Sequence, residues 1–295
     1  MRAVAARRGR SIVVANGSEG EPASKKDRAL LRESPHLVLD GAAVAARAVH
    51  AQDAIVVVSG EDERSVRSLG RALRDRAAAG LDGDPHFELF LLEHRYVAGQ
   101  ETALVSALNE GPARPTFAPP LPFERGVRGR PTLIQNVETL AHLALIARHG
   151  AGWFRQLGTE LDPGSALVTL SGALAAPGVY EIEHGMPLSE LLEVARLTDR
   201  VAGVLVGGYF GTWLTADVAR EARLSAGHLR EYGAALGAGV IVVLGADACP
   251  VAETARVAAW FAAESAGQCG PCVNGLDAIA ATIHQLATGT ASRRA

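Results

Sequence analysis

The chain has 295 residues, of which 48% are hydrophobic and 21% are charged, and its formal net charge is −3. This length favours two or three domains, and the charge gives no sign of the basic excess that is typical of nucleic-acid-binding proteins. Three cysteines are too few for a disulfide framework, and no apolar run reaches the roughly 18 residues of a membrane span. We therefore expect a soluble cytoplasmic protein with no nucleic acid partner and no direct membrane insertion.

The first part of the chain alternates apolar runs with amphipathic stretches. Residues 11–17 (SIVVANG), 53–60 (DAIVVVSG) and 86–93 (HFELFLLE) have the continuous apolar pattern of buried strands. A helical pattern follows the first of these and halts at Pro35, and another, over residues 62–80, follows the second. This alternation predicts an α/β fold with a parallel sheet covered by helices.

The middle and the end of the chain have sequence patterns that differ from the strand–helix alternation of the first part. A proline- and arginine-rich connector over 111–131 precedes a helix over 136–150. Short strands, turns and a short helix then predict a small α+β module, and the last stretch predicts two or three helices broken at a cysteine loop. We place the domains at 1–160, 161–245 and 246–295.

Three short motifs carry candidate binding residues. NGSEGEP follows the first strand, and its Asn16, Glu19 and Glu21 suit hydrogen bonds to a heterocycle or ribose, although a solvated turn is the alternative. In AGQETAL, Gly99 permits a close backbone approach, and an ordinary capped helix is the alternative. In IQNVETL the amides of a helix start suit a phosphate, and simple capping by Asn136 is the alternative. We predict that the three motifs converge on one cleft, because ligands gather at the carboxyl ends of parallel strands.

Taken in chain order, five segments resemble one family. They are ANGSEGEPASKKDR, YVAGQETAL, RPTLIQNVETL, SGALAAPGVYEI and ESAGQCGPC. The sequence resembles the NADH- and flavin-binding subunit of respiratory NADH:quinone oxidoreductase (complex I), with its relatives in soluble hydrogenases and formate dehydrogenases. This resemblance covers nearly all of the chain. It implies a Rossmann-like domain that binds FMN and accepts hydride from NADH, a β-grasp-like domain, and a helical segment with one [4Fe–4S] cluster.

The resemblance also implies roles for individual residues. Asn16 and Glu19 would contact the flavin, and Glu21 and Glu101 would also face the nicotinamide nucleotide. The complete implied pocket consists of Asn16, Glu19, Glu21, Gly99, Gln100, Glu101, Ile134, Gln135, Asn136 and Thr139. No side chain is assigned as catalytic, because the cofactor performs the electron chemistry and the protein orients it.

The sequence departs from the family pattern around the nucleotide. The family's G-R-G-G-A-G-F-P loop lies upstream of the first strand, so either this sequence is truncated at its start or its FMN site is incomplete. Ser18 stands in place of an aspartate and Gln100 in place of a glutamate. Ala118 and Leu121 replace a lysine and an aromatic residue. NADH recognition is therefore less well supported than FMN binding.

The cysteines depart from the family pattern as well. The family has S-C-G-x-C-x-x-C and a later fourth cysteine, whereas here Ala266 replaces the first one and Cys249, Cys269 and Cys272 are the candidate metal ligands. A straight helix over 250–266 would span about 25 Å and separate Cys249 from Cys269. A [4Fe–4S] cluster with four thiolates is therefore not expected, and the alternative is a structural loop.

Three functional hypotheses follow. The first is a flavin-dependent electron-transfer subunit that takes electrons from NAD(P)H or a related donor and works with other electron-transfer subunits, among them an iron–sulfur protein. The second is a cofactor-free scaffold or assembly subunit of the same fold. The third is an N-terminally truncated flavoprotein. In each case a membrane would be reached only through a complex.

Overall fold

The computed structural model describes residues 1–7 and 9–291, which form two compact units that divide between Leu157 and Gly158. The last four residues of the predicted helical segment, 292–295, lie outside the described part. The fold class is confirmed: a parallel sheet, a second and separate mixed sheet, and C-terminal helices. The boundaries proposed at 160 and 245 stay predictions.

The first unit contains a four-stranded parallel sheet in the order β3-β2-β1-β4. Its strands are β1 (Ile12–Gly17), β2 (Asp53–Ser59), β3 (His86–Leu92) and β4 (Thr132–Asn136). β1 and β2 are the two inner strands and are almost entirely buried, as their continuous apolar runs predict. β4 is not predicted by the sequence analysis, because its five residues directly precede a well-marked helix.

Helices cover this sheet. They are α1 (Arg2–Ala5), α2 (Lys26–Glu33), α3 (Pro35–Ala48), α4 (Glu63–Ala79), α5 (Glu101–Leu108), α6 (Val137–His149) and α7 (Ala151–Phe154). α4 begins after its cap Asp62 and ends at Gly80, and α6 begins after Asn136 and ends at Gly150. Pro35 stops the first helical pattern, as predicted, but it also opens α3, which is not predicted. Proline is tolerated there because the first amide of a helix needs no intrahelical partner.

The core of the first unit depends on a close approach of α3 and α6. Val38, Leu39, Val137 and Leu140 are fully buried there. Gly41 is also buried, and a Cβ atom at its position would lie 1.8 Å from the Leu140 carbonyl oxygen. The absence of a side chain at Gly41 therefore sets the distance between these two helices.

The second unit contains a five-stranded mixed sheet in the order β6-β5-β9-β7-β8. The strands are β5 (Ser165–Gly172), β6 (Gly178–Glu183), β7 (Val201–Val206), β8 (Thr212–Leu214) and β9 (Val240–Gly245), with helices α8 (Leu188–Val194), α9 (Ala216–Glu221) and α10 (Ala226–Glu231). β9 lies between β5, to which it is parallel, and β7, to which it is antiparallel. The last strand in the sequence thus occupies the centre of the sheet.

Two helices follow the second sheet, α11 (Pro250–Ala263) and α12 (Leu276–Ala287), and a π-helical turn lies at Pro271–Gly275. The indole N–H of Trp213 donates to the Thr254 hydroxyl at 3.0 Å, and the rings of Tyr209 and Trp260 meet edge to face. These contacts hold α11 against β8 and the residues just before it. Within residues 1–7 and 9–291, no helix combines the length and apolar composition needed to cross a membrane.

Candidate functional site

The strand order of the first sheet changes direction at β1. The carboxyl ends of β1 and β4 flank this point. The chain runs from β1 to β2 and β3 on one side and then places β4 on the other side of β1. In open α/β sheets, ligands bind outside the carboxyl ends of the strands at such a reversal. Asn16 and Asn136 are register partners at these ends, so two of the predicted motifs lie side by side there.

Asn16 joins the first motif to the second. Its Nδ2 donates to the Gly99 carbonyl oxygen at 2.9 Å, and its Oδ1 accepts from the Ser18 hydroxyl at 2.8 Å. A Cβ atom on Gly99 would lie 2.3 Å from Ser18 Oγ, so a larger residue at position 99 would displace the Ser18 hydroxyl from its place in this junction. Ser18, which stands where the resembling family has an aspartate, thus packs and hydrogen-bonds within this junction.

Asn136 joins the third motif to the first. Its Oδ1 accepts from the Glu138 amide at 2.9 Å, which caps α6 as predicted. Its Nδ2 donates to Asp27 Oδ2 at 2.7 Å and to the Asn16 carbonyl oxygen at 3.5 Å. Because the Glu138 amide is already paired, it is not among the groups open to a phosphate.

Lys26 holds an ion cluster beside this junction, and the sequence analysis does not single it out. Its Nζ lies 2.6 Å from Asp27 Oδ1 and 2.8 Å from Glu138 Oε2, and its side chain is only 13% exposed. Burial disfavours the ammonium, but the two carboxylates outweigh that effect and raise the pKa of Lys26. The Lys26 ion pairs thereby tie the start of α2 to the start of α6.

The Glu19 carboxylate forms its hydrogen bonds with residues that follow it closely in the chain. Its carboxylate accepts from the Ser24 hydroxyl at 2.7 Å and from the amides of Asp27 and Arg28 at 2.9 and 3.1 Å. It therefore caps α2. Burial raises the pKa of Glu19, the Asp27 carboxylate raises it further, and these hydrogen bonds oppose the rise. A contact of Glu19 with a flavin stays a prediction.

Glu21 is buried beside Tyr96. Burial raises the pKa of the Tyr96 hydroxyl, and the negative charge of Glu21 raises it further. A Cβ atom on Gly20 would lie 2.7 Å from the Tyr96 carbonyl oxygen. The first and second motifs are therefore packed together at a second place as well.

A cavity of about 240 Å³ lies along β4. Glu101, Ile134 and Gln135 line it together with apolar residues such as Phe123. Gln100 caps α5 through bonds from the Thr102 and Ala103 amides at 2.9 and 3.0 Å, and this cap fixes the position of Glu101. Thr139, in the first turn of α6, is exposed.

The residues at this sheet edge fit part of an FMN molecule. Within the described residues, the side chains of Glu101, Gln135 and Thr139 make no hydrogen bond, so their polar atoms are open to a ligand. The cavity is smaller than the 300–1,000 Å³ or so of a complete small-molecule site. It is therefore too small to enclose a complete FMN molecule.

The cysteines do not form one group. Cys249 precedes α11, a 14-residue helix of about 21 Å. Cys272 lies at the other end, where the Ser265 hydroxyl donates to its carbonyl oxygen at 2.9 Å. No cluster of three or more His, Cys, Asp or Glu side chains suited to a metal occurs in the part of the chain that the structure describes. The structure therefore brings Cys269 and Cys272 together and leaves Cys249 apart.

Within the described residues, the cysteine loop supplies two thiols toward an iron–sulfur cluster. Such a cluster needs about four cysteine ligands, and Ala266, which replaces the first one, is buried at 8% exposure. A hydrogen bond from the Cys269 side chain is the main cause that holds the pKa of the Cys272 thiol below its ordinary value. The loop thus offers two neighbouring thiols.

A larger cavity lies in the second unit and is not predicted by the sequence analysis. Its volume is about 620 Å³, and apolar side chains such as Leu192 and Val201 line it together with Arg200 and Arg220. These residues come from α8, β7 and α9 and the segments beside them. No local motif marks them, because they converge only in the folded sheet.

Comparison with known families identifies two regions of the chain. Residues 2–145 match the family described as the Nuo51 FMN-binding domain. Residues 252–295 match the region described as the NADH-ubiquinone oxidoreductase-F iron-sulfur binding region. The first match contains β1 to β4, and the second contains the cysteine loop.

Similar proteins extend over almost the whole chain. The NADH-quinone oxidoreductase F subunit 2 of Rhizobium meliloti is 34% identical over 290 residues, which are 93% of this chain and 68% of that protein. The mitochondrial NADH dehydrogenase [ubiquinone] flavoprotein 1 of Dictyostelium discoideum is 31% identical, over 95% of this chain and 61% of that protein. A crystal structure of an air-oxidized NAD+-reducing [NiFe]-hydrogenase aligns with a TM-score of 0.90 and 34% identity, over 99% of this chain and 50% of the hydrogenase chain. This chain thus spans roughly two thirds or less of the length of these relatives.

Proposed function

The chain belongs to the family of NADH-quinone oxidoreductase F subunits, and we propose that it is a flavin-dependent electron-transfer subunit. It takes electrons from NAD(P)H or a related donor through FMN and passes them toward an iron–sulfur centre. The observation that carries this proposal is the juxtaposition of Asn16 and Asn136 at the reversal point of the parallel sheet. The match of residues 2–145 to an FMN-binding domain supports it.

Two groups of residues would hold the cofactor. Ile134 and its apolar neighbours would exclude water from one side of the flavin ring, and Glu101 and Gln135 would hydrogen-bond its polar edge. The exposed Thr139 hydroxyl would reach the phosphate at the start of α6, where the helix dipole favours negative charge. When bound, FMN supplies the conversion between two-electron and one-electron transfer.

The remaining predicted residues would hold the loops and helix starts of the site in position. Gly99 lets the second motif pack directly on Ser18, and Asn16 fixes that contact with its hydrogen bond to the Gly99 carbonyl oxygen. Gln100 holds the start of α5. Glu19 and Glu21 are buried and support the loop between β1 and α2.

Partners and location follow from the same proposal. The relatives are named as subunits of NADH-quinone oxidoreductase or as NADH dehydrogenase flavoprotein 1. We infer that this chain works with other electron-transfer subunits, among them an iron–sulfur protein that receives its electrons. We place it in the cytoplasm, where a membrane would be reached only through such a complex.

Titration of the protein with FMN, followed by flavin fluorescence, tests the proposal. We expect saturable binding of one FMN per chain. Gln135→Ala should weaken this binding by up to about tenfold, because it removes one hydrogen bond of about 0.5–1.5 kcal/mol. Gln285→Ala, an exposed change on α12, should leave the affinity unchanged.

Two results would contradict the proposal. If FMN does not bind at any concentration up to millimolar, the cofactor-free scaffold or the N-terminally truncated flavoprotein becomes the better explanation. If FMN binds but Gln135→Ala and Gln285→Ala have equal effects, the flavin lies elsewhere than at the end of β4.

A further inference from the structure

The cavity of about 620 Å³ in the second unit has walls made of apolar side chains. Leu192 of α8 and Ala219 of α9 are buried, and Val201 and Ala202 at the start of β7 are partly buried. The volume lies within the range of about 300–1,000 Å³ that is typical of small-molecule sites. The cavity therefore has room for the apolar body of a small organic molecule.

Two arginines line this cavity together with the apolar side chains. Arg200 is exposed, and within residues 1–7 and 9–291 its guanidinium donates no hydrogen bond and forms no ion pair. Arg220 pairs with Asp217 at 2.7 Å, but these two side chains are 72% and 85% exposed. Such an exposed pair contributes little to stability. Both guanidinium groups are therefore accessible to a ligand.

Asp199 fixes the edge of the cavity at which Arg200 lies. Its Oδ1 accepts from the Arg200 amide at 2.7 Å, and its Oδ2 accepts from the Ala246 amide at 2.9 Å. A Cβ atom on Gly245 would lie 2.6 Å from Asp199 Oδ2, so the glycine leaves room for this carboxylate. The two hydrogen bonds join the residue before β7 to the residue after β9, and Arg200 and Ala246 both line the cavity. This edge is therefore formed before a ligand binds.

The charged residues of the lining favour an anion. They are Arg200 and Arg220, with two positive charges, and Glu193, with one negative charge. A guanidinium is planar and presents five N–H donors in a geometry that matches a carboxylate. Hydrogen bonds between these two charged groups are stronger than those between neutral groups. The apolar walls and the accessible guanidinium groups together fit a molecule with an apolar body and an anionic end.

We propose that this cavity binds a small organic carboxylate with an apolar body. The body lies against Leu192, Val201 and Ala219, and the carboxylate accepts hydrogen bonds from the Arg200 guanidinium, with Arg220 as the second positive charge. The inference concerns the second unit alone and does not depend on the proposed flavin function.

The test uses the complete chain and two fluorescent probes with the same rings. Anilinonaphthalene sulfonate has an anionic group, and phenylnaphthylamine lacks it. We expect the sulfonate to bind saturably and more tightly than the neutral probe. Octanoate should displace the sulfonate, whereas octylamine, a cation with a chain of the same length, should not.

Three substitutions of charged residues place the probe in this cavity. Arg200→Gln should weaken binding of the sulfonate by about tenfold, because it removes a charge-assisted hydrogen bond, and should affect the neutral probe little. Glu193→Gln should have the opposite sign and tighten sulfonate binding, because it removes a negative charge from the lining. Arg230→Gln is the matched control, an exposed arginine of α10 outside the lining, and should change neither affinity. Circular dichroism verifies that each variant is folded.

Several results would overturn the proposal. They are an absence of saturable sulfonate binding up to millimolar concentration, equal affinities of the two probes, equal effects of Arg200→Gln and Arg230→Gln, and displacement by octylamine rather than octanoate. Gln135→Ala, the variant that tests the flavin site, should leave sulfonate binding unchanged. If it weakens that binding as much as Arg200→Gln does, the probe lies in the first unit and the proposal is wrong. The two proposals therefore fail separately.

Discussion

Replacing Lys26 with methionine is expected to lower the free energy of unfolding of the first unit by about 3–5 kcal/mol, the usual cost of removing one partner from a buried ion pair. Methionine keeps most of the length of the side chain but removes the ammonium. The Asp27 and Glu138 carboxylates, which both lie within 3 Å of Nζ, would then lose the ammonium that they share. Their side chains are 6% and 15% exposed, so water could screen their charges only in part.

The pH dependence of this effect has a definite sign. The pKa of Lys26 is raised, so its contribution to stability is fully present below the ordinary lysine pKa of about 10.4 and is lost only as the pH rises through the folded value.

Urea titration followed by far-ultraviolet circular dichroism measures the change, with Arg67→Met as the matched control. Arg67 pairs with Glu63 at 2.9 Å, but both side chains are more than two thirds exposed. Such an exposed pair on a helix contributes only about 0.3–0.5 kcal/mol. Equal losses in the two variants would show that the Lys26 cluster is not buried in solution.

Gly41→Ala should destabilise the first unit by about 3 kcal/mol, although alanine is the better helix former. On propensity alone, the substitution in the middle of α3 would stabilise by about 1 kcal/mol. The new methyl group, however, would lie 1.8 Å from the Leu140 carbonyl oxygen and 2.9 Å from its Cα. Because both contacts are with backbone, α3 and α6 must separate, and overpacking of this kind costs about 1–3 kcal/mol or more.

Gly70→Ala in α4 is the control for this experiment. There the added Cβ atom would meet only the end of the Arg74 side chain, at 3.6 Å, so we expect a gain of up to about 1 kcal/mol. The opposite signs of the two substitutions, read from their urea midpoints, are the expected result. A Gly41→Ala protein as stable as the wild type would disprove the close packing of α3 on α6.

The sequence predicts the local elements well wherever one pattern dominates. The apolar runs that became β1, β2 and β3 and the capped helices α4 and α6 lie within a few residues of their predicted positions. Elements that are short or that adjoin a stronger pattern are missed. α3 follows directly behind Pro35, and β4 has only five residues before the cap of α6.

The sequence predicts the members of the candidate site and their convergence on one cleft, but not the contacts between individual residues. The amino-acid order alone identifies the three motifs, the cysteine turn and the missing first cysteine, because each is a property of neighbouring residues. The register pairing of Asn16 with Asn136 spans 120 positions and depends on which side of β1 the chain places β4.

The sequence by itself determined the fold class, the order of the motifs and the family, because apolar periodicity, caps and short-range motifs are all written in adjacent residues. Only the tertiary structure decided that Glu19 caps α2 and that Lys26 joins α2 to α6. Burial and charge pairing set these contacts, and both depend on segments that are distant along the chain. For the same reason, the site forms only when the parallel sheet brings β1 and β4 together.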